Sequence, residues 1–432
     1  CGGDSAVKLK ITGPRPLSGL VKVGGAKNAA LKIMAASLLA GGPCKLIGIP
    51  KIADVNTMAG VLKGLGATVE FQEDGCVVID PSDVSKLEPS EELVIRMRAS
   101  IQVMGPLLAR FGYVKTRQPG GCNIGPRPID LHLKGFSALG AEIREEYGYV
   151  SARAPVLRGA EILLDIPSVG ATENIMTAAC LAEGTTIIRN AAREPEIVDE
   201  QNFLNRLGAN IRGAGTDTIK IEGVKELRGT DYTVIPDRIE AATFITAIAV
   251  TGGEARIENT IPEHQQALIA KLRETGVEII EGDNYVIARR PWQNRLQATN
   301  IRTLPYPGFP TDVQPQFVAA MSLAEGTSEI IEGVFPLRFK YTEELTKMGA
   351  KITVDGKTAV ITGVHTLHGT TLEAPDLRGG AALILAALAA EGDTELSGIE
   401  HIDRGYEDLP GKLSQLGASI ERIDSARKRQ AG

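Results

Sequence analysis

Three kinds of segment alternate along the chain. Stretches apolar on every side run roughly over 27–40, 99–111, 172–183, 239–250, 313–325 and 379–391. A helix that is apolar all round has to be buried all round. After each comes a turn, several times Ala-Glu-Gly as in Ala182-Glu183-Gly184, and then a short strand-like run such as Thr186-Ile187-Ile188. An amphipathic helical stretch follows, as over 341–348, and a pair of alternating runs predicts a hairpin. Between that second helix and the hairpin one signature recurs: Leu65-Gly66-Ala67, Leu139-Gly140-Ala141, Leu207-Gly208-Ala209, Thr275-Gly276-Val277, Met348-Gly349-Ala350 and Leu416-Gly417-Ala418. The glycines lie 74, 68, 68, 73 and 68 residues apart. That period is too long for most solenoids and fits a βαβαββ unit repeated six times. Positions that agree across copies are architecture, and positions that differ are candidates for chemistry.

The chain ends predict the domain layout. Copy six closes with one strand, Ser419–Ile423, and lacks its hairpin partner. The run Val7-Lys8-Leu9-Lys10-Ile11-Thr12-Gly13 resembles Ala359-Val360-Ile361-Thr362-Gly363 and supplies that partner. The expectation is an α/β protein of two domains with three repeats each: residues 25–236 continuous, and 1–24 joined to 237–432. Two crossings, near 23–26 and 236–238, suit hinge closure around a ligand in the interdomain cleft.

Composition narrows the class. A chain of 432 residues, 43% hydrophobic and 23% charged, is that of a soluble globular protein with more than one core. A net charge of −6 and 4% aromatics disfavour nucleic acid, and no apolar run is long enough to span a bilayer. Cys1-Gly2-Gly3 opens the chain without a Met or a visible signal peptide and reads as a trimmed tail rather than a lipoprotein's processed cysteine. Five irregularly spaced cysteines predict free thiols in a reducing cytoplasm, with Cys44, Cys76 and Cys180 in packing roles. Five histidines without a cluster predict no metal site.

The copies differ at two places. The turns opening the buried helices carry Lys27, Arg98 and Arg378, together with Ser168-Val169-Gly170, Asp237 and Asp312. Helix N-termini attract anions, so these charges predict an anionic ligand; solvated caps are the plainer alternative. The second place is the loop before the amphipathic helix. From turn glycine to signature glycine it spans 23 to 25 residues in five copies and 28 in copy two. The extra length falls in Gln118-Pro119-Gly120-Gly121-Cys122-Asn123-Ile124-Gly125-Pro126-Arg127-Pro128, which is too rich in Gly and Pro for regular structure and predicts a lid. Arg127 beside Cys122 favours a reactive thiolate. The same loop carries Arg338 in copy five and Arg404 in copy six. No phosphate loop, nucleophile elbow or dinucleotide fingerprint competes. The residues describe an enzyme that closes on a phosphorylated substrate through a cysteine lid, without metal or cofactor.

Several motifs then carry a resemblance. Gly25-Ala26-Lys27-Asn28-Ala29-Ala30-Leu31, Met97-Arg98-Ala99-Ser100, the segment from Pro119 to His132, Ser168-Val169-Gly170-Ala171-Thr172, Ala192-Arg193-Glu194-Pro195-Glu196-Ile197-Val198-Asp199, Phe309-Pro310-Thr311-Asp312 and His401-Ile402-Asp403-Arg404-Gly405-Tyr406-Glu407 follow in order. Over about 8–424 the chain resembles the UDP-N-acetylglucosamine 1-carboxyvinyltransferases of the enolpyruvyl transferase family. The resemblance implies an inside-out α/β barrel of two three-repeat domains. It also implies transfer of the enolpyruvyl group of phosphoenolpyruvate to the 3-hydroxyl of UDP-N-acetylglucosamine with release of phosphate, the first committed step of peptidoglycan synthesis. It assigns Cys122 as the general acid, open to alkylation by fosfomycin, and Asp312 as the base. Lys27, Arg127 and Arg404, with Arg338 and Arg378, would hold phosphoenolpyruvate. Asn28, Arg98, the run Arg127-Pro128-Ile129-Asp130-Leu131, Ser168, Val169, Gly170 and Val334 would hold the nucleotide sugar. Some relatives place a Lys where this chain has Ile166. A cytoplasmic monomer without cofactor, nucleic acid or membrane partner is expected. The alternatives are the shikimate-pathway enolpyruvyl transferase, which lacks the cysteine lid, and a non-catalytic nucleotide-sugar sensor on the same fold.

Overall fold

The computed structural model describes residues 7–73, 75–118 and 128–424; Cys122 and Arg127 lie outside the described residues. Its elements repeat as strand, core helix, strand, second helix and hairpin in five of six copies, and the second copy lacks the opening strand. The core helices are Lys27–Ala36, Met104–Phe111, Val169–Ala179, Arg238–Thr251, Gln314–Met321 and Leu377–Ala389. Two of them enter through a 3-10 stretch, Arg98–Val103 and Thr311–Val313. Both carry a proline in the first turn of the α portion, Pro106 and Pro315. Proline lacks the N–H that an α-helical bond to the fourth residue back would need, and the chain winds more tightly just before it. Each second helix ends on its signature glycine. Gly66, Gly140, Gly208, Gly276, Gly349 and Gly417 all have φ between 91° and 110°, the left-handed helix stop that a Cβ would strain.

The described residues divide into two compact units. One spans 25–235, and the other joins 7–24 to 236–424. Each has its own hydrophobic core and its own three sheets. In the discontinuous unit the three core helices pack on one another, and the sheets flank them with one face buried, as in the alternating burial of Val7–Gly13. The last of these helices is buried without a break from Arg378 to Leu388. Its small residues, Gly379-Gly380-Ala381-Ala382, let neighbours approach closely. None of the sheets closes on itself; the helices form the interior and the sheets the exterior, the inside-out α/β arrangement. No helix among the described residues is long and apolar enough to cross a membrane.

The strand missing from copy six is Val7–Gly13, which lies antiparallel between Gly392–Ser397 and Ser419–Asp424. Two further strands are exchanged. Leu17–Lys22 precedes the first core helix but pairs in parallel with Gly253–Glu258 of copy four. Asp231–Thr233 precedes the fourth core helix but pairs in parallel with Cys44–Ile47 of copy one. Copies three, five and six keep the opening strand at home. The chain therefore changes unit between an opening strand and its helix. Gly25 sits at one such crossing, where a Cβ would stand 1.7 Å from the Gly48 carbonyl oxygen. Copy two departs from the expected order. It opens with the helix Glu91–Arg96 instead of a strand, and its sheet has three strands. Glu91 and Glu92 in the first turn suit a helix N-terminus.

Because Ile11 is fully buried in an inner strand of its four-stranded sheet, Ile11→Ala should destabilise the discontinuous unit by about 2–5 kcal/mol. Chemical denaturation checks this; an unchanged midpoint would mean that the N-terminal strand is dispensable.

Candidate active site

In the discontinuous unit the opening turn of copy five meets two arginines. Asp312 lies in the 3-10 turn Thr311–Val313. Its Oδ1 accepts from Arg338 Nη2 at 2.9 Å, and its Oδ2 accepts from Arg378 Nη2 at 3.2 Å and Nε at 3.3 Å. Arg378 stands in the first turn of its core helix, where the N-cap Asp376 accepts from the backbone N–H groups of Arg378 and Gly379. Both guanidinium groups are buried, at 2% and 4% exposure, while the Asp312 side chain keeps 27%. Burial alone disfavours the Arg378 charge, but Tyr406, Asp312 and Asp237 more than offset it, so the guanidinium holds its proton firmly. Arg338 Nε and Arg378 Nη1 are buried with no acceptor among the described residues. The spare donors of the two guanidinium groups suit a carboxylate or phosphate ligand. Arg404 is half-buried at the C-cap of the short helix Glu400–Asp403, two residues before Tyr406, and the Tyr406 ring lies under Arg378 at 5.2 Å. Val334 is partly exposed, and its N–H donates to Glu332.

In the continuous unit Lys27 opens the first core helix and pairs with Asp54 at 2.8 Å, both side chains nearly buried. Asn28 beside it is half-buried. Arg98 Nη2 donates to the Pro128 carbonyl at 3.2 Å, which ties the opening turn of copy two to the run Pro128-Ile129-Asp130-Leu131. Pro128 and Asp130 are exposed, and Ile129 and Leu131 buried. Ser168 caps the third core helix, its Oγ accepting from the Ala171 N–H, with Val169 half-buried behind it. At Gly170 a Cβ would meet Gln102 Nε2 and His132 Cε1, each at 3.2 Å, so the close approach of three segments depends on that glycine. Ile166 is 63% exposed.

Several residues that sequence reasoning missed hold these turns. Lys32, Gln102 and Glu173 sit at matching depth in the first three opening segments. Glu173 Oε2 takes Lys32 Nζ at 3.1 Å and Gln102 Nε2 at 3.2 Å. Their signal was a polar residue inside an otherwise apolar stretch. Burial raises the Glu173 carboxyl to about 7, with Lys32 opposing the shift. His132 Nδ1 lies 3.0 Å from Asn174 Nδ2. Burial first, then the Arg98 and Lys32 charges, lower His132 to about 3.

Comparisons with known proteins show the family of the chain. Residues 11–413 match the family model of EPSP synthase (3-phosphoshikimate 1-carboxyvinyltransferase). The solved enolpyruvyl transferase NikO from Streptomyces tendae superposes with a TM-score of 0.88 at 28% identity, covering 98% of this chain and 99% of that one. EPSP synthase from Acinetobacter baumannii shares the fold, with a TM-score of 0.74 at 19% identity over 96% of this chain and 100% of that one. The family model and the fold define an enolpyruvyl transferase. A UDP-N-acetylglucosamine 1-carboxyvinyltransferase of Caldanaerobacter subterraneus is 56% identical over 94% of this chain and 97% of its own length. One from Carboxydothermus hydrogenoformans is 54% identical over 96% and 99%. The chain belongs to the enolpyruvyl transferase family, among the UDP-N-acetylglucosamine 1-carboxyvinyltransferases.

His132 supplies a pH test. With a folded value near 3 against about 6.5 when unfolded, its contribution to stability is complete above pH 6.5 and is lost as pH falls toward 3. Histidine-labelled NMR should show this ring neutral down to pH 5; a ring titrating near 6.5 would contradict its burial.

Proposed function

We propose that this chain moves the carboxyvinyl group of phosphoenolpyruvate to the 3-hydroxyl of UDP-N-acetylglucosamine in the cytoplasm, acting as a monomer without cofactor. In this reading Lys27, Arg127, Arg338, Arg378 and Arg404 hold the phosphate and carboxylate of phosphoenolpyruvate. Asn28, Arg98, the run 128–131, Ser168, Val169, Gly170 and Val334 hold the nucleotide sugar. Cys122 gives a proton to C3, and C2 gains oxocarbenium character. The sugar 3-hydroxyl attacks C2 while Asp312 takes its proton. The tetrahedral adduct then returns a proton from C3 to the Cys122 thiolate and breaks the bond from C2 to the phosphate oxygen, which takes the proton held by Asp312; the double bond is restored and phosphate leaves. Acid and base each supply on the order of 10²–10⁴-fold.

The observation that carries this reading is Asp312 held between Arg338 and Arg378. The remaining lone pairs of the carboxylate can accept a hydrogen bond from the sugar 3-hydroxyl, and the spare guanidinium donors suit an anionic partner. The acceptor is named by relatives that match nearly full length.

Phosphate release from phosphoenolpyruvate should depend on UDP-N-acetylglucosamine and not on shikimate 3-phosphate; binding without turnover would favour the sensor instead. Asp312→Asn should cut turnover by about 10²–10⁴-fold, and wild-type rates in that variant would remove Asp312 from the chemistry.

Fosfomycin should alkylate Cys122 rather than Cys44, Cys76 or Cys180, which are buried thiols; burial pushes Cys44 and Cys180 away from the reactive thiolate. Cys122→Asp should keep turnover at lower pH and resist the inhibitor, whereas Cys122→Ser should be much poorer. Mass spectrometry locates the adduct; modification of another cysteine, or inhibition of the Asp variant, would sink the assignment.

A further inference from the structure

Six residues beyond the turn glycine of each copy stands the residue that follows the short strand: Gly48, Gln118, Asn190, Asn259, Glu332 and Gly398. Four of the six have positive φ, between 54° and 78°, and are Gly or Asn, the residues that tolerate it. The two asparagines donate to the Leu164 and Val23 carbonyls, each just past an opening strand. Copy five breaks the pattern with a carboxylate at 0% exposure. A buried carboxylate is costly unless its oxygens are satisfied. Glu332 Oε1 accepts from Thr303 Oγ1 at 2.7 Å and from the backbone N–H groups of Val334 at 2.8 Å and Phe335 at 2.9 Å. Its Oε2 accepts from Thr311 Oγ1 at 3.0 Å.

These four donors are uncharged and come from three segments. Thr303 follows the opening strand Ile301–Arg302. Thr311 precedes Asp312 in the same 3-10 turn. Val334 and Phe335 begin the loop that ends at Arg338. Both partners of the Asp312–Arg338 ion pair therefore hang from one buried side chain, in the one copy where that ion pair exists. We infer that Glu332 is a positioning residue for enolpyruvyl transfer. It sets the proton-accepting carboxylate of Asp312 against Arg338 and fixes the Val334 loop, and the inference rests on the function proposed above.

Thr311→Val separates this role from general packing. It removes the one hydroxyl that joins Glu332 to the Asp312 turn and leaves the other three bonds of Glu332 in place. It should lower kcat by about 10- to 100-fold, leave KM for phosphoenolpyruvate within about threefold and shift the pH profile of kcat, while the loss of the Glu332 Oε2 partner lowers the melting temperature without unfolding the chain at the assay temperature. Thr311→Ser restores the hydroxyl and should restore kcat. Glu332→Gln keeps an acceptor oxygen and should retain more activity than Glu332→Ala. A wild-type kcat and pH profile in Thr311→Val, or no recovery in Thr311→Ser, would overturn the positioning role alone. A wild-type chain that releases no phosphate would overturn the proposed function and this inference with it.

Discussion

Burying a helix on every side leaves only its ends for polar chemistry, and the rest of this structure follows from that constraint. The core helices cannot present charge along their length without a large desolvation cost. Their opening turns are the places where a charge remains within reach of water or ligand. Lys27, Arg98, Asp312 and Arg378 all stand at such turns. The opposite ends are satisfied internally. Arg110 donates to the Leu38 carbonyl, Arg290 to Ala249 and Arg295 to Ala324, each from 2.8 to 3.0 Å. Cations at helix C-termini also complement the macrodipole. Three of the six core helices thus have their C-terminal carbonyls met by the protein's own arginines.

The exceptions to apolar burial form a small network. Lys32, Gln102 and Glu173 join the opening segments of three copies inside one unit. In the other unit, Thr243, Gln316 and Tyr406 meet through hydrogen bonds of 2.9 to 3.2 Å. Such buried polar groups add little net stability. They constrain the relative placement of helices whose apolar surfaces would otherwise slide, and that placement sets where the opening turns point.

The crossings obey the same economy. Glu240 Oε2 accepts from the Gly24 N–H at 2.6 Å while its Oε1 meets Lys412 Nζ at 2.6 Å. Asp199 accepts from the Ile235 N–H at 3.2 Å and from the Tyr232 hydroxyl at 2.6 Å. A buried carboxylate thus pins the backbone beside each crossing, within its own unit. With the exchanged opening strands, this anchors both crossing segments in sheets as well as in turns.

The amino-acid sequence by itself determined the order of elements in all copies but the second, the glycine stops and the charged turns that open the core helices, because these depend on residues close together in the chain. Periodicity and turn chemistry are local, and the repeat multiplied the signal. The missing partner of copy six was legible for the same reason. Tertiary structure decided which charges meet. Asp312 finds Arg338 and Arg378 across 26 and 66 residues, and Lys32 finds Glu173 across 141. It also decided the strand exchange and the role of Glu332, an ordinary acid in sequence whose four donors come from three segments. Such pairings depend on which strands share a sheet and how buried helices pack, and no local pattern of residues encodes that geometry.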